Sequence, residues 1–79
     1  MPRYFFNLFN DETTIDEEGL ELPDDESAKA RARDEARNFA AESIRHHGHL
    51  VLHHHIEVIR NDGVSVGVIG FGDVVEIRQ

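Results

Sequence analysis

The stretch HIEVIRNDGVSVGVI, residues 55–69, decides the fold because it holds two strand-like segments separated by a turn signal. Residues 55–60 and 64–69 are rich in valine and isoleucine, the β-branched residues that strands favour. The Asn-Asp-Gly sequence between them is a strong hairpin signal, because these residues accept the backbone angles of tight turns. The stretch therefore predicts an antiparallel β-hairpin.

Two registers fit this hairpin. A two-residue loop would pair Val58 with Gly67. A three-residue loop that ends in a left-handed glycine would pair Val58 with Val66 and Ile56 with Val68. The second register collects apolar residues on one face, so we predict it. The other face would then hold Glu57, Ile59, Ser65, Gly67 and Ile69.

The residues before the hairpin, 23–48, carry the signals of one long helix. Asp24 is the expected N-cap, because its carboxylate can accept hydrogen bonds from the free N–H groups of the first turn. Acidic residues follow it, where the helix dipole favours negative charge. We expect the helix to end at about His47, before Gly48. Apolar residues at helical spacing form one expected core stripe: Ala28, Ala32, Ala36, Phe39, Ala40 and Ile44.

The first segment, RYFFNLF at residues 3–9, predicts a strand with apolar side chains on both faces. One helix can cover only one face of a sheet, and no second helix is indicated. We therefore expect the uncovered face to be an interface between two copies of the chain. The residues expected to form this interface are Phe5, Phe9, Ile59 and Ile69.

Short segments complete the plan. Residues 13–15 fit a short return strand, 16–19 a turn, and 20–22 a short extended piece. Residues 71–73 indicate another turn, and 74–78 fit either a last short strand or a helical turn. The predicted fold is α+β, with one helix packed on a small, mostly antiparallel sheet in two layers and the order β-(β)-α-β-β. Residues 1–79 form one expected domain.

Composition limits the function classes. The 79 residues carry a formal charge of −8 and no cysteine, which excludes disulfides, thiolate catalysis and cysteine-based zinc sites. So acidic a chain lacks the basic footprint that nucleic-acid binding requires. No apolar run is long enough to span a membrane and no secretory signal is recognisable, so we expect a cytoplasmic protein.

The acidic residues are unevenly distributed. Nine of them, and no base, lie between Asn10 and Glu26. Such a run is most often a solvated face. A basic protein partner that binds this segment is the alternative.

All six histidines lie in HHGHLVLHHH, residues 46–55. On a strand, the pattern H-x-H-x-E projects three metal-binding side chains from one face, and the helix end could supply two more. The sequence has no H-E-x-x-H spacing, so plain surface histidines are the alternative. The expected ligands of Zn²⁺ or Ni²⁺ are His47, His49, His53, His55 and Glu57.

No catalytic set is visible. The three serines lie in an expected cap, helix and strand, without the strand-turn-helix context of a nucleophile elbow. The acidic pairs fit a turn and a cap, and no glycine-rich segment precedes a helix as a phosphate loop would. We therefore expect a non-enzymatic protein without a cofactor.

Several of these features recur together in one known pattern, and nearly the whole chain carries it. They are Met1 to Phe6, Asp16 to Gly19, Leu22 to Asp24, the alanines Ala28, Ala32 and Ala36, Ile56 to Val58, Asp62-Gly63, and Phe71, Asp73, Val75 and Ile77. In these features the chain resembles a family of short bacterial proteins of about this length, a domain of unknown function. This resemblance implies no particular activity.

A looser resemblance rests on the first strand, the acidic turn with its glycine, the extended stretch that ends at Pro23-Asp24, and the helix that opens with alanines. These features are similar to those of HicB-like antitoxins. That resemblance implies an acidic, dimeric inhibitor of a basic toxin. Three hypotheses follow: a self-associating interaction module first, a histidine-rich metal-binding protein second, and an antitoxin-like inhibitor third.

Overall fold

The computed structural model describes residues 1–79 and shows one long helix against one face of an antiparallel sheet. The predicted α+β class and the order of the main elements are confirmed. The elements are β1 (Arg3–Phe9), β2 (Thr13–Thr14), β3 (Leu20–Glu21), α1 (Asp25–His47), β4 (His55–Arg60), β5 (Ser65–Gly70) and α2 (Phe71–Val74). The short helix α2 occupies the segment predicted as a turn, and residues 75–79 form neither a strand nor a helix.

Strands β1 and β4 form the centre of the sheet, whose order is β2-β1-β4-β5. The short strands β2 and β3 share the outer edge of β1. Strand β2 pairs with the C-terminal end of β1 at Leu8 and Phe9, and β3 pairs with the N-terminal end of β1 at Arg3 and Tyr4. The edge of β1 is therefore occupied at both ends.

Between β2 and β3, side chains take the place of a pairing strand. The Phe6 N–H donates to Asp16 Oδ2 at 3.1 Å, and the Asp16 N–H donates to Asn7 Oδ1 at 3.0 Å. The other carboxylate oxygen of Asp16 accepts from the N–H groups of Glu18, at 3.2 Å, and Gly19, at 3.1 Å. One aspartate thus satisfies three backbone donors and holds the turn against the sheet.

Only glycine fits position 19 of this turn. Gly19 has φ +71°, in the left-handed region that residues with a Cβ rarely adopt. A Cβ at this position would also lie 2.9 Å from Arg3 Cγ, Phe5 Cε1 and the Tyr4 carbonyl oxygen. The Asp-x-x-Gly pattern in the sequence therefore has two causes: the Asp16 carboxylate accepts the backbone hydrogen bonds of the turn, and Gly19 packs closely against β1.

Helix α1 contacts the sheet through small side chains. Its ends are as predicted: Asp24 Oδ1 accepts from the Ser27 N–H at 2.8 Å, and the left-handed Gly48 donates to the Ile44 carbonyl at 2.9 Å. Neither helix is both long and apolar enough to cross a membrane. The buried apolar residues are Ala28, Ala32, Ala36 and Ala40 from α1, with Tyr4, Leu8, Ile56, Val58, Phe71 and Val74.

The predicted stripe continues too far along the helix. Phe39 is 40% exposed and Ile44 is 53% exposed. Each four-residue step along a helix rotates by about 40°, so Ile44 lies on nearly the opposite side from Ala28. The buried stripe therefore ends at Ala40.

The hairpin loop is as predicted, but the register beyond it is not. The Arg60 N–H donates to the Val64 carbonyl at 2.8 Å, and Gly63 has φ +88°, which closes a three-residue loop. A β-bulge next to Val58 then inserts Val66 as an extra residue. The predicted pairing of Val58 with Val66 is wrong, because Val58 pairs with Gly67 instead.

The bulge exchanges the sheet faces predicted for Val68 and Ile69. Ile56 pairs with Ile69, not with Val68 as predicted, so Ile69 faces α1 and packs against the core. Val68 points to the opposite face and is 55% exposed. Gly67 thereby faces α1, where a Cβ would lie 3.2 Å from Lys29 Cδ, so the register places the residue without a side chain under this lysine.

We expect Gly19→Ala to lower the free energy of unfolding more than Gly48→Ala. Both positions have positive φ, and alanine costs about 1–2 kcal/mol there. An added Cβ at Gly48 meets nothing within 4 Å, whereas at Gly19 overpacking adds roughly 1–3 kcal/mol. Urea unfolding of both variants measures the difference. Equal losses would show that the contacts of Gly19 do not matter.

The pKa of Asp16 provides a second prediction. Partial burial raises this pKa, but the N–H donors of Gly19, Phe6 and Glu18 and the charge of Arg3 outweigh burial and lower it below 3.8. The stabilisation by this carboxylate is therefore complete above the unfolded-state pKa and is lost as pH falls through the folded-state pKa.

Asp16→Asn should reduce the free energy of unfolding by roughly 1–3 kcal/mol at neutral pH, because the amide has one acceptor oxygen where the carboxylate has two. The difference between the native chain and this variant should shrink at about pH 3. Urea unfolding at both pH values measures it. A difference that does not change with pH would contradict the assigned role of the carboxylate.

Candidate functional site

The five predicted metal ligands lie on different parts of the surface. His47 and His49 stack on each other beyond the end of α1, with ring centroids 5.5 Å apart. His55 stacks on Phe9 of the neighbouring strand at 5.0 Å. No group of three or more His, Cys, Asp or Glu side chains is placed to share a metal ion. The arrangement expected for Zn²⁺ or Ni²⁺ is therefore not formed by these residues.

The run of three histidines divides among three environments. Strand β4 begins at His55, so the alternation expected for His53, His55 and Glu57 does not extend to His53, which is exposed. His54 is only 7% exposed and contacts Phe71 edge to face at 5.7 Å. The backbone carbonyl of His54 accepts from the Phe71 N–H at 2.8 Å. His54 therefore joins the start of β4 to α2.

Four histidines nevertheless surround one cleft of about 440 Å³ at the end of α1. His46 Nε2 lies 2.8 Å from Glu42 Oε2, and His54 Nε2 lies 3.5 Å from Asp11 Oδ1. The other two, His47 and His49, are the stacked pair. Each imidazole of the cleft thus has a partner within the chain, either a carboxylate or another ring.

The sheet face opposite α1 is not covered by any helix or strand, and we call it the open face. Its cross-strand pairs are Phe5 with Ile59, Asn7 with Glu57, and Phe9 with His55. Strand β5 adds Val68 opposite Glu57. The open face consists of Phe5, Asn7, Phe9, His55, Glu57, Ile59, Ser65, Val68 and Gly70.

Three of the four residues predicted for a self-interface lie on the open face. They are Phe5, Phe9 and Ile59. Ile69 lies on the helix side, so its predicted place on the uncovered face is wrong, and Val68 occupies that face instead. The reason is the β-bulge at Val66, which a regular ladder does not anticipate.

The open face carries little charge. The carboxylate at its centre, Glu57, accepts a hydrogen bond from the Ser65 hydroxyl at 2.9 Å. At its border, Arg3 pairs with Glu21 at 3.3 Å. The other acidic residues lie in the loops, the hairpin turn, the C-terminal segment and the two helices. The open face is thus an apolar and nearly neutral surface on a chain of formal charge −8.

A charged network beside the start of α1 was not predicted from the sequence. The buried Tyr4 hydroxyl donates to Asp25 Oδ1 at 2.7 Å, and Arg60 Nη1 lies 3.1 Å from Asp25 Oδ2. Arg60 also binds Asp62 through two nitrogens, at 3.0 and 2.8 Å. The one sequence signal for this network is the Arg-Asn-Asp spacing at the hairpin, which places Arg60 near Asp62.

The electrostatics of this network favour a structural role. Burial, followed by the hydrogen bond to Asp25, raises the pKa of Tyr4 to about 12. The guanidinium of Arg60 lowers the pKa of Asp62. Tyr4 therefore remains a protonated donor at neutral pH, and the single positive charge of Arg60 lies between the two carboxylates of Asp25 and Asp62. The network ties the start of α1 to β1 and β4.

The spread of the histidines leads to a prediction for metal titration. We expect Zn²⁺ and then Ni²⁺, added to untagged protein at low micromolar concentration, to produce no saturable ¹⁵N-HSQC shifts at residues 46–57. The physical reason is that a stable site needs at least three convergent ligands. Saturable shifts confined to these residues and reversed by a chelator would contradict the prediction.

Comparison with known proteins places the chain in a family. A family model described as Domain of unknown function (DUF6894) matches residues 3–72. No curated protein and no solved structure matches the chain. The matched residues extend from β1 into α2 and so include α1 and the strands that form the open face. This chain therefore belongs to the family described as Domain of unknown function (DUF6894).

Proposed function

We propose that this protein is a non-enzymatic interaction module that self-associates through its open face. One observation carries the proposal: three neighbouring strands place Phe5, Phe9, Ile59 and Val68 on a sheet face that no element of the chain covers. An antiparallel sheet that faces water on one side normally carries polar residues there.

Removal of this surface from water supplies the driving force. Val68 is 55% exposed, and Phe5 and Ile59 form a partly buried cross-strand pair beside it. Burial of apolar surface stabilises by about 25 cal/mol per Å². A chain of this size buries a smaller share of its surface on folding than a larger domain does, so the area buried by association adds usefully to its stability.

The charge distribution supports a second copy as the occupant. Two chains of formal charge −8 repel each other unless their acidic residues are kept apart. Contact between two open faces does this, because the carboxylates on that side already have partners: Glu57 accepts from the Ser65 hydroxyl, and Glu21 at the border pairs with Arg3. A two-fold arrangement would bring the same apolar patch of each chain together.

The sheet edges are poorer candidates for this contact. Along the outer edge of β1, strands β2 and β3 and the Asp16 carboxylate already take the backbone groups. Strand β5 has a free edge without charge or proline, but the bulge at Val66 interrupts its ladder. We therefore place the contact on the face.

Light scattering on a sizing column tests the proposal at micromolar concentration. We expect the native chain to elute as a dimer and Val68→Asp to elute as a monomer, because each copy would have to bury an unpaired carboxylate. Val68 is exposed in the single chain, so the variant should still fold.

Ile77→Asp is the matched control. Ile77 is exposed and lies in the C-terminal segment outside the sheet, so the change in charge and polarity is the same. The control should remain dimeric. A native chain that is strictly monomeric, or equal effects of the two variants, would overturn the proposal.

A further inference from the structure

A second apolar surface lies on the helix side of the sheet, in a groove between α1 and the connection from β2 to β3. Its volume is about 560 Å³. The buried side chains of Leu8 and Ile56 contribute to its lining, so the groove reaches the core. Ile15 and Phe39 line it from the connection and from α1, and they are 56% and 40% exposed. Half of the lining residues are apolar, although the groove is open to solvent.

Acidic residues border this groove. Glu17 and Glu18 belong to its lining, and neither side chain makes a hydrogen bond or an ion pair within the chain. Glu35 of α1 also belongs to the lining and pairs with Arg31 at 3.1 Å. We call this surface the acid-rimmed groove.

Arg31 pairs with Glu35, but the neighbouring residues do not neutralise Glu17 and Glu18. The segment from Asn10 to Glu26 holds nine acidic residues and no base. Arg3 is close, but its guanidinium donates to the Glu18 carbonyl and to the Glu21 carboxylate. The potential around the groove is therefore negative, and it favours a positively charged partner.

The backbone beside the groove is not available for strand addition. The Phe6 N–H, midway along β1, already donates to the Asp16 carboxylate. A partner must therefore bind through side chains, with apolar groups in the groove and basic groups at its rim.

We propose that the acid-rimmed groove binds a basic amphipathic segment of another protein. Apolar side chains of that segment lie between Ile15 and Phe39, and its lysine or arginine residues pair with Glu17 and Glu18. The groove lies on the helix side of the sheet, whereas the open face lies on the other side. A partner can therefore occupy the groove whether or not the chain self-associates.

The test uses two synthetic peptides with the same composition of leucine and lysine. One arranges its leucines on a single helical face, and the other has the same residues in scrambled order. Each is titrated into the ¹⁵N-labelled chain of 79 residues. We expect saturable shifts at Ile15, Asp16 and Phe39 with the amphipathic peptide, weakened by added salt, and no saturable shifts with the scrambled one.

Two double variants with the same change in net charge separate the groove from general acidity. Glu17→Gln with Glu18→Gln should weaken binding about fivefold, because each exposed charge pair contributes modestly. Asp34→Asn with Glu76→Gln removes two exposed carboxylates outside the groove lining and should leave the affinity unchanged. All four positions are exposed, so the variants should fold.

Three results would overturn the proposal. They are equal shifts with both peptides, equal effects of the two double variants, and shifts scattered over the chain. The third experiment is dilution of the chain without peptide. If dilution shifted the resonances of the groove, its occupant would be a second copy and not a basic partner.

Discussion

The close approach of α1 to the sheet depends on four alanines. Because Ala28, Ala32, Ala36 and Ala40 have short side chains, the helix backbone lies near the strands, and Tyr4, Ile56 and Val58 of the sheet supply the bulk of the core. A helix of this kind fills the space directly beneath it but extends little to either side. The groove beside Leu8 lies where this cover ends and Phe39 stands at the margin.

The use of large apolar side chains on the strands also explains the open face. The strands that supply bulk to the helix side also alternate, so apolar residues of β1 and β4 appear on the far side as well. With one long helix, the chain can shield only one of the two faces. The groove and the open face are thus two results of one constraint, the small amount of cover that 79 residues can provide.

Local signals in the sequence were sufficient for the main elements. The Asn-Asp-Gly loop, the Asp24 cap and the Gly48 terminus each depend on neighbouring residues and were predicted correctly. The register of β5 was predicted wrongly. The bulge at Val66 places Gly67 under Lys29 of α1, and local signals do not specify a contact between residues so far apart in the sequence.

Local sequence signals also predicted the surface features only in part. Three of the four expected open-face residues were identified because alternation along a strand is local, whereas Ile69 was misplaced by the bulge. The metal hypothesis assumed a strand through His53, but β4 begins at His55. The groove and the Tyr4–Asp25–Arg60 network were missed, because each combines residues from β1, α1 and β4 or their connections.

The Asp16 carboxylate has a consequence for the geometry of assembly. A sheet with free edges can grow without limit, since each added strand presents a new edge, and such growth leads to fibres. Here a side chain and two short strands close one edge, and a bulge interrupts the other. Contacts through a face are finite, because two open faces, once joined, leave no open face for a third copy of the chain. The turn that one aspartate holds in place thus favours closed complexes over open polymers.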